Sequence, residues 1–204
     1  HTLLALRARL GCDTEDLGII RDEPRSLETA LDRAAGSADA LVTSGGVSAG
    51  DRDFTRELLS RLGRVHFWNI AMRPGRPMAF GRLQSGGNSC LMFALPGNPV
   101  ASAVACIQFV RGALLRMMGC AAAELPLLQA RARHAIAKKA GRTEFLRGII
   151  RRDDDGTSVG LTGPQGSAML SSLCQADCLI VLSHDQGNVA EGDRVAVLLL
   201  DGLM

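Results

Sequence analysis

The sequence predicts an α/β domain over residues 1–120, a parallel sheet in three layers with helices on both faces. A small C-terminal β-barrel-like domain follows over residues 121–204. Three observations lead there. In the first part, apolar runs of strand length alternate with helical stretches, the pattern of parallel strands joined by crossover helices. At "GCAAAELP", Gly119 to Pro126, the composition changes. Beyond it no long helical period recurs, and short strand-like runs alternate with turn signals, as in a barrel or sandwich.

The chain opens on "HTLLALRARLG" in helical rhythm. Leu3, Leu4, Leu6 and Leu10 make an apolar face, and Gly11 ends the helix. An opening without Met reads as a piece of a longer protein. "LGII", Leu17 to Ile20, is expected as a short strand. Ser26 is expected to cap the helix "SLETALDRAAG". "DALVT", Asp39 to Thr43, reads as a buried strand running into "VTSGGVSAGDRDF", where Asp53 or a neighbour starts the next helix. "RVHFWNIA" is a strand, and "PMAFGRL" and "CLMFALPG" form a hairpin across "QSGGNS". A helix from Pro99 to Met118, apolar on nearly every side, closes the domain. After the linker, "LLQARARHAIA", "TEFLRGIIRR", "CLIVLSHD" and "RVAVLLLDG" read as strands and "AMLSSLCQA" as a short helix. Ile149, Leu161, Ile180, Val181, Val195 and Val197 are expected to share one core.

With 47% hydrophobic and 22% charged residues, the chain reads as soluble and globular. A net charge of +2 demands neither nucleic acid nor an acidic membrane surface. The longest apolar stretch is interrupted by Gln108, Arg111 and Arg116, which counts against a membrane span. The six cysteines form no Cys-x-x-Cys pair. They read as reduced thiols of a cytosolic protein, mostly buried fillers. His66, His134 and His184 are isolated and have no ligand spacing.

Five groups of residues could carry chemistry. Ser44, Gly45 and Gly46 sit between a strand end and a helix start, where open α/β sheets bind ligands and backbone N–H groups can cradle a phosphate. A plain glycine turn explains that loop equally well. Asp22 and Asp53 both follow expected strand ends and could share a Mg²⁺ ion; taken singly, a turn residue and a helix cap explain them better. "RPGRP", Arg73 to Pro77, is a stiff turn whose guanidiniums, Arg73 and Arg76, suit phosphate or oxyanions. In "LPGNP", Pro96, Gly97 and Asn98 lead into a helix with Asn98 as N-cap and Pro99 at N1. Arg147 lies in a strand and Ser167 precedes a short helix; by default they are a surface arginine and a cap.

Together, "IIRDEP", "VTSGGVSAGDRDF", "VHFWNIAMRPGRPMAFG", "LPGNPVAS", "GRTEFLRG" and "GPQGSAMLSSLCQADCLIVL" resemble the molybdopterin molybdenumtransferases, the group of bacterial MoeA and the gephyrin E domain. The resemblance implies the last two of four segments, a molybdopterin-binding α/β domain lacking its first strand and a C-terminal β domain. It implies insertion of molybdate into adenylylated molybdopterin, with Mg²⁺ and release of AMP. Ser44, Gly45 and Gly46 would cradle the pterin phosphate, with Arg76, Pro96, Gly97 and Asn98 also lining the substrate. Asp22 and Asp53 would hold Mg²⁺, Arg73 would bind anion, and Arg147 with Ser167 would seat molybdate. Relatives commonly carry lysines where this chain has Asn69 and Arg73. The resemblance further implies a cytoplasmic homodimer whose subunits share the cleft, so that this piece would not turn over alone, and handover to molybdoenzymes. The rivals are a molybdopterin adenylyltransferase, which lacks the β domain, a gephyrin-like scaffold binding a partner peptide, and a competence-type protein sharing only the α/β domain.

Overall fold

Helix α1 (Thr2–Arg9) ends where Gly11 turns the chain at φ +79°, a conformation that costs glycine little. These and the following elements come from a computed structural model describing residues 2–45, 58–121, 124–154, 156–166 and 168–203. "LGII" is not a strand. Asp16 Oδ1 accepts a hydrogen bond from Gly18 N at 2.9 Å, Gly18 has φ +70°, and Ile19 is 98% exposed. A local Asx turn has captured the backbone that a strand would have paired. Helix α2 (Pro24–Ser37) starts earlier than Ser26. Glu23 is its N-cap and Pro24 its first residue, because the proline's fixed φ suits that position. Ser26 instead donates weakly to Glu23 Oε2 at 3.5 Å.

Strand β1 (Ala40–Ser44) leads out of α2, and residues 58–62 are helical. Strands β2 (Gly63–Asn69), β3 (Met72–Arg73), β4 (Pro77–Ser85) and β5 (Asn88–Leu95) follow. One sheet has the order β1-β5-β4-β2. Only β1 and β5 run parallel; β5, β4 and β2 are successively antiparallel. The α/β class stands, but the described sheet is mixed. The hairpin turn at Gly86–Gly87 is too short for a crossover and forces β4 and β5 antiparallel.

Helix α3 (Pro99–Met117) runs through a π-helical turn at Cys106–Val110. Its start is as expected: Asn98 Oδ1 accepts from Ala101 N at 3.3 Å, with Pro99 at N1. By length and composition alone α3 could cross a membrane, despite the interruptions. Its apolar faces are instead spent inside the protein. Val100, Val104 and Ile107 pack in one cluster with Phe93 and Leu95 of the sheet and with Phe145, Leu179 and Leu198 from beyond the linker. At roughly 25 cal/mol per Å² of buried apolar surface, such a shared core welds the two halves together.

The second half contains β6 (Leu128–Ala132), β7 (Thr143–Asp153), β8 (Gly156–Leu161), helix α4 (Leu170–Cys174), β9 (Cys178–Leu182) and β10 (Arg194–Leu199). The order β7-β8-β6-β10-β9 closes through a β7–β9 pairing into a five-stranded barrel. Strand β8, "GTSVGL", was not anticipated, since its small residues show too little apolar alternation. Strand β7 serves two neighbours, pairing with β9 over Glu144–Gly148 and with β8 over Gly148–Asp153. Gly148 makes the corner: a Cβ there would meet Cys178 Sγ at 2.9 Å. Ile180, Val195 and Val197 enter the barrel core with Leu146, Val159 and Leu182. The other three expected members do not. The inward phase of β7 runs through Leu146, Gly148 and Ile150, which turns Ile149 out. Leu161 is 36% exposed, and Val181 packs on the α3 cluster.

All six cysteines are free thiols: Cys90, Cys106 and Cys178 are buried, Cys12 half-buried, Cys120 and Cys174 exposed. Burial pushes the Cys90 and Cys106 thiols up to about 11; at Cys90 the charge of Asp39 adds to it. Cys178 is pushed up to about 12, by burial and then by Asp177. A raised pKa keeps these three protonated and unreactive at pH 8. Mass spectrometry after brief alkylation at that pH should find label at Cys120 and Cys174 and none at Cys178. Labelling of Cys178 at the exposed-site rate would contradict the closed barrel.

Candidate functional site

The C-terminal end of β1 and the loop after β5 meet first. Gly45 N donates to Leu95 O at 3.0 Å, and the Ser44 hydroxyl lies 3.4 Å from Pro96 O and from Ser102 Oγ. Ser102, from the first turn of α3, donates to Pro96 O as well. Gly97 approaches closely enough that a Cβ on it would touch Gly45 Cα at 3.6 Å. The two loops therefore form one floor, fixed to the N-terminus of a buried helix.

The wall opposite is the "RPGRP" turn. Gly75 has φ +107°, and a Cβ there would lie 3.2 Å from Met72 Cε and 3.5 Å from Ala101 O. Only glycine fits, and the turn is held against α3. Its entry is β3, where Met72 and Arg73 pair in parallel with Thr143 and Glu144 of β7. The arginine turn is thus stitched to the barrel.

Between floor, turn and barrel runs a groove of about 750 Å³. Of the expected site residues, Gly45, Arg73, Arg76, Pro96, Gly97, Asn98 and Arg147 line it, as does Asn69. Ser44 hydrogen-bonds beneath it. Asp22 is exposed on the chain before α2 and is not part of the lining. Gly46, Asp53 and Ser167 lie outside the described residues.

Arg147 is not the surface residue that its sequence context suggests by default. It is 1% exposed. Its Nε donates to Ser172 Oγ at 3.0 Å, and its terminal nitrogens donate to Gln165 O at 3.4 Å and Gly166 O at 2.9 Å. All three acceptors are neutral. Its pKa is lowered, first by burial and then by the positive charge of Arg73. A buried cation is ordinarily matched by an anion; among the described residues none matches this one. Arg142, also in the lining, differs: its Nε lies 2.8 Å from the carboxylate of Glu144, which is 3% exposed. Among the described residues, that leaves Arg73, Arg76 and Arg147 as groove cations in no ion pair, an arrangement that favours an oxyanion or phosphate.

Sequence reasoning singled out neither Arg142 nor Gln165, although both sit in flagged stretches. Their importance depends on distant pairing with Glu144 and Arg147. As for Mg²⁺, the described residues contain no group of three or more His, Cys, Asp or Glu that could hold a metal ion. With Asp22 away from the groove, the described donors do not make a magnesium site.

A family model described as "Probable molybdopterin binding domain" matches residues 1–116. One described as "MoeA C-terminal region (domain IV)" matches residues 129–200. The chain is 36% identical over 198 residues to a molybdopterin molybdenumtransferase of Haemophilus influenzae, covering 96% of this chain and 48% of that protein. It is 32% identical over 204 residues to a gephyrin of Dictyostelium discoideum, covering 90% and 28% respectively. The crystal structure of a molybdopterin biosynthesis moea protein from Pyrococcus horikosii superposes with a TM-score of 0.75 at 27% identity. That match covers 98% of this chain and 47% of the other. The chain therefore spans about half the length, or less, of these relatives.

Proposed function

We propose, because this chain belongs to the MoeA family, that its groove seats adenylylated molybdopterin and molybdate for molybdenum insertion, with release of AMP. The observation that carries the reading is Arg147: a buried guanidinium with neutral partners, sharing a groove with a second guanidinium, Arg73, whose charge it feels. Molybdate, a doubly charged oxyanion, would bring the missing negative charge between Arg147 and Arg73. The pterin phosphate would lie on the Ser44–Gly45 floor, with Gly46 and Asn98 beside it and Arg76 at the entrance. Ser167, adjacent to Gly166, would add a hydroxyl to the oxyanion. Mg²⁺ would enter with Asp53 and the substrate phosphate. The barrel supports this reading over an adenylyltransferase, because Arg147 and its partners all come from that half. We further propose a cytoplasmic homodimer that hands its product to molybdoenzymes, on the family resemblance.

The test uses the chain alone and a hybrid in which it replaces the matching half of a bacterial relative. Each receives adenylylated molybdopterin, molybdate and Mg²⁺. The hybrid should release AMP only when molybdate is present, and the chain alone should not turn over. A hybrid that folds and binds the pterin, yet releases no AMP with molybdate, would overturn the proposal.

A further inference from the structure

The outer edge of β7 has a gap. Thr143 and Glu144 pair with β3, and Gly148 onward pairs with β8. Between those two pairings lies Arg147, whose other neighbour, Leu179, is on β9. There the Arg147 carbonyl accepts from Thr162 N at 3.0 Å, with the Thr162 hydroxyl 3.3 Å away. The Arg147 N–H, which no strand takes on this edge, goes to a side chain. Gln165 Oε1 accepts from Arg147 N at 2.8 Å, and Gln165 Nε2 donates to Arg147 O at 3.2 Å. The amide thus imitates one residue of a strand partner. The same Nε2 also reaches Gly163 O at 2.9 Å and Thr162 Oγ1 at 3.4 Å, which fixes the loop carrying it. In return the Arg147 guanidinium donates to the carbonyls of Gln165 and Gly166, and Ser172 holds its Nε.

We propose that Gln165 is the positioning residue for Arg147: its amide holds the backbone at the groove edge so that the guanidinium is presented in one orientation to the oxyanion. The part concerning the oxyanion rests on the function proposed above. The requirement is chemical and specific. The position needs an acceptor for the Arg147 N–H and, on the same planar head, a donor toward the Gly163 and Arg147 carbonyls, the second of which Thr162 N also serves. Glutamine supplies both. Ionised glutamate supplies two acceptors and would face the Arg147, Gly163 and Thr162 oxygens, while methionine supplies neither donor nor acceptor. Protonated glutamic acid restores one O–H donor and one carbonyl acceptor in nearly the same shape.

Two readouts on the purified chain separate positioning from function: proton-exchange protection of Arg147 Nε–H by NMR, and the Kd for molybdate. Gln165→Met should lower the protection about 10-fold or more and weaken molybdate by a similar factor. Gln165→Glu should do the same at pH 8 and recover toward the unmodified chain as pH falls toward its carboxyl range, ordinarily about 4.3. A purely structural defect would not recover on acidification. Exposed Gln129→Met serves as control and should change neither readout. Arg147 protection equal in Gln165→Met and the parent, or a Gln165→Glu defect independent of pH, would overturn the positioning role. If protection follows Gln165 while the parent chain binds no molybdate, the positioning role stands and the proposed function falls. If Gln165→Met does not fold, the pH response of Gln165→Glu decides.

Discussion

The Gly81→Ala chain should melt about 6–12 °C below the parent. Gly81 lies in the middle of β4, with β2 on one side and β5 on the other. A Cβ at this position overlaps the carbonyl oxygen of Arg64 and comes within 2.5 Å of Val65 Cα and 2.8 Å of Val65 Cγ2. Two of those three atoms are backbone, so no rotamer change relieves the overlap and β2 itself must move. Overpacking a filled site costs about 1–3 kcal/mol and occasionally more, and a backbone obstacle puts this case near 3. For a chain of this size each kcal/mol shifts Tm by roughly 2–4 °C, which gives the interval stated. The damage also reaches the groove, because β2 ends at Asn69 and continues into the Arg73 turn. Calorimetry checks the figure; a Tm within about 2 °C of the parent would mean that β2 and β4 are not packed as described.

On the proposed function, Arg147→Met should weaken molybdate binding about 10- to 100-fold with little change in Tm. The first part follows from the worth of a hydrogen bond to a charged group, about 1.5–3 kcal/mol, lost with the guanidinium. The second follows from cancellation. The substitution removes bonds to Ser172, Gln165 and Gly166, but it also removes a desolvated cation that another cation, Arg73, disfavours. Arg147→Lys should fall between the two, keeping charge but losing the planar fork. Titration calorimetry with molybdate reads the affinity. An unchanged Kd would remove Arg147 from the oxyanion site.

What the sequence disclosed and what it hid divide along the range of the interactions. The cap at Asn98, the stop at Gly11 and the hairpin between β4 and β5 are written in adjacent residues, so local chemistry reads them correctly. That Gly45, Arg73 and Pro96–Asn98 belong near one another was also legible, because each follows a strand end or forms a stiff turn, and they line one groove. "LGII" misled because its apolar side chains outweighed a nearby aspartate able to take the Gly18 amide. Strand β8 was missed because glycines and hydroxyl residues replace the usual alternation. The depth of Arg147 was invisible for another reason. An arginine between Leu146 and Gly148 reads as an outward strand position, and outward it is. What buries it is the Gln165–Gly166 loop and Ser172 on α4, both distant in sequence. The stitching of β3 to β7, which brings Arg73 toward Arg147, is likewise a long-range pairing of only two residues.

The seat of the oxyanion between Arg147 and Arg73 is tested most directly by anomalous diffraction from crystals of this chain soaked in tungstate, which has the charge and shape of molybdate and a strong anomalous signal. The proposed site predicts a peak in the groove within hydrogen-bonding distance of the Arg147 and Arg73 guanidiniums, lost in Arg147→Met. Tungstate bound only outside the groove, with Arg147 unchanged on its neutral partners, would contradict it.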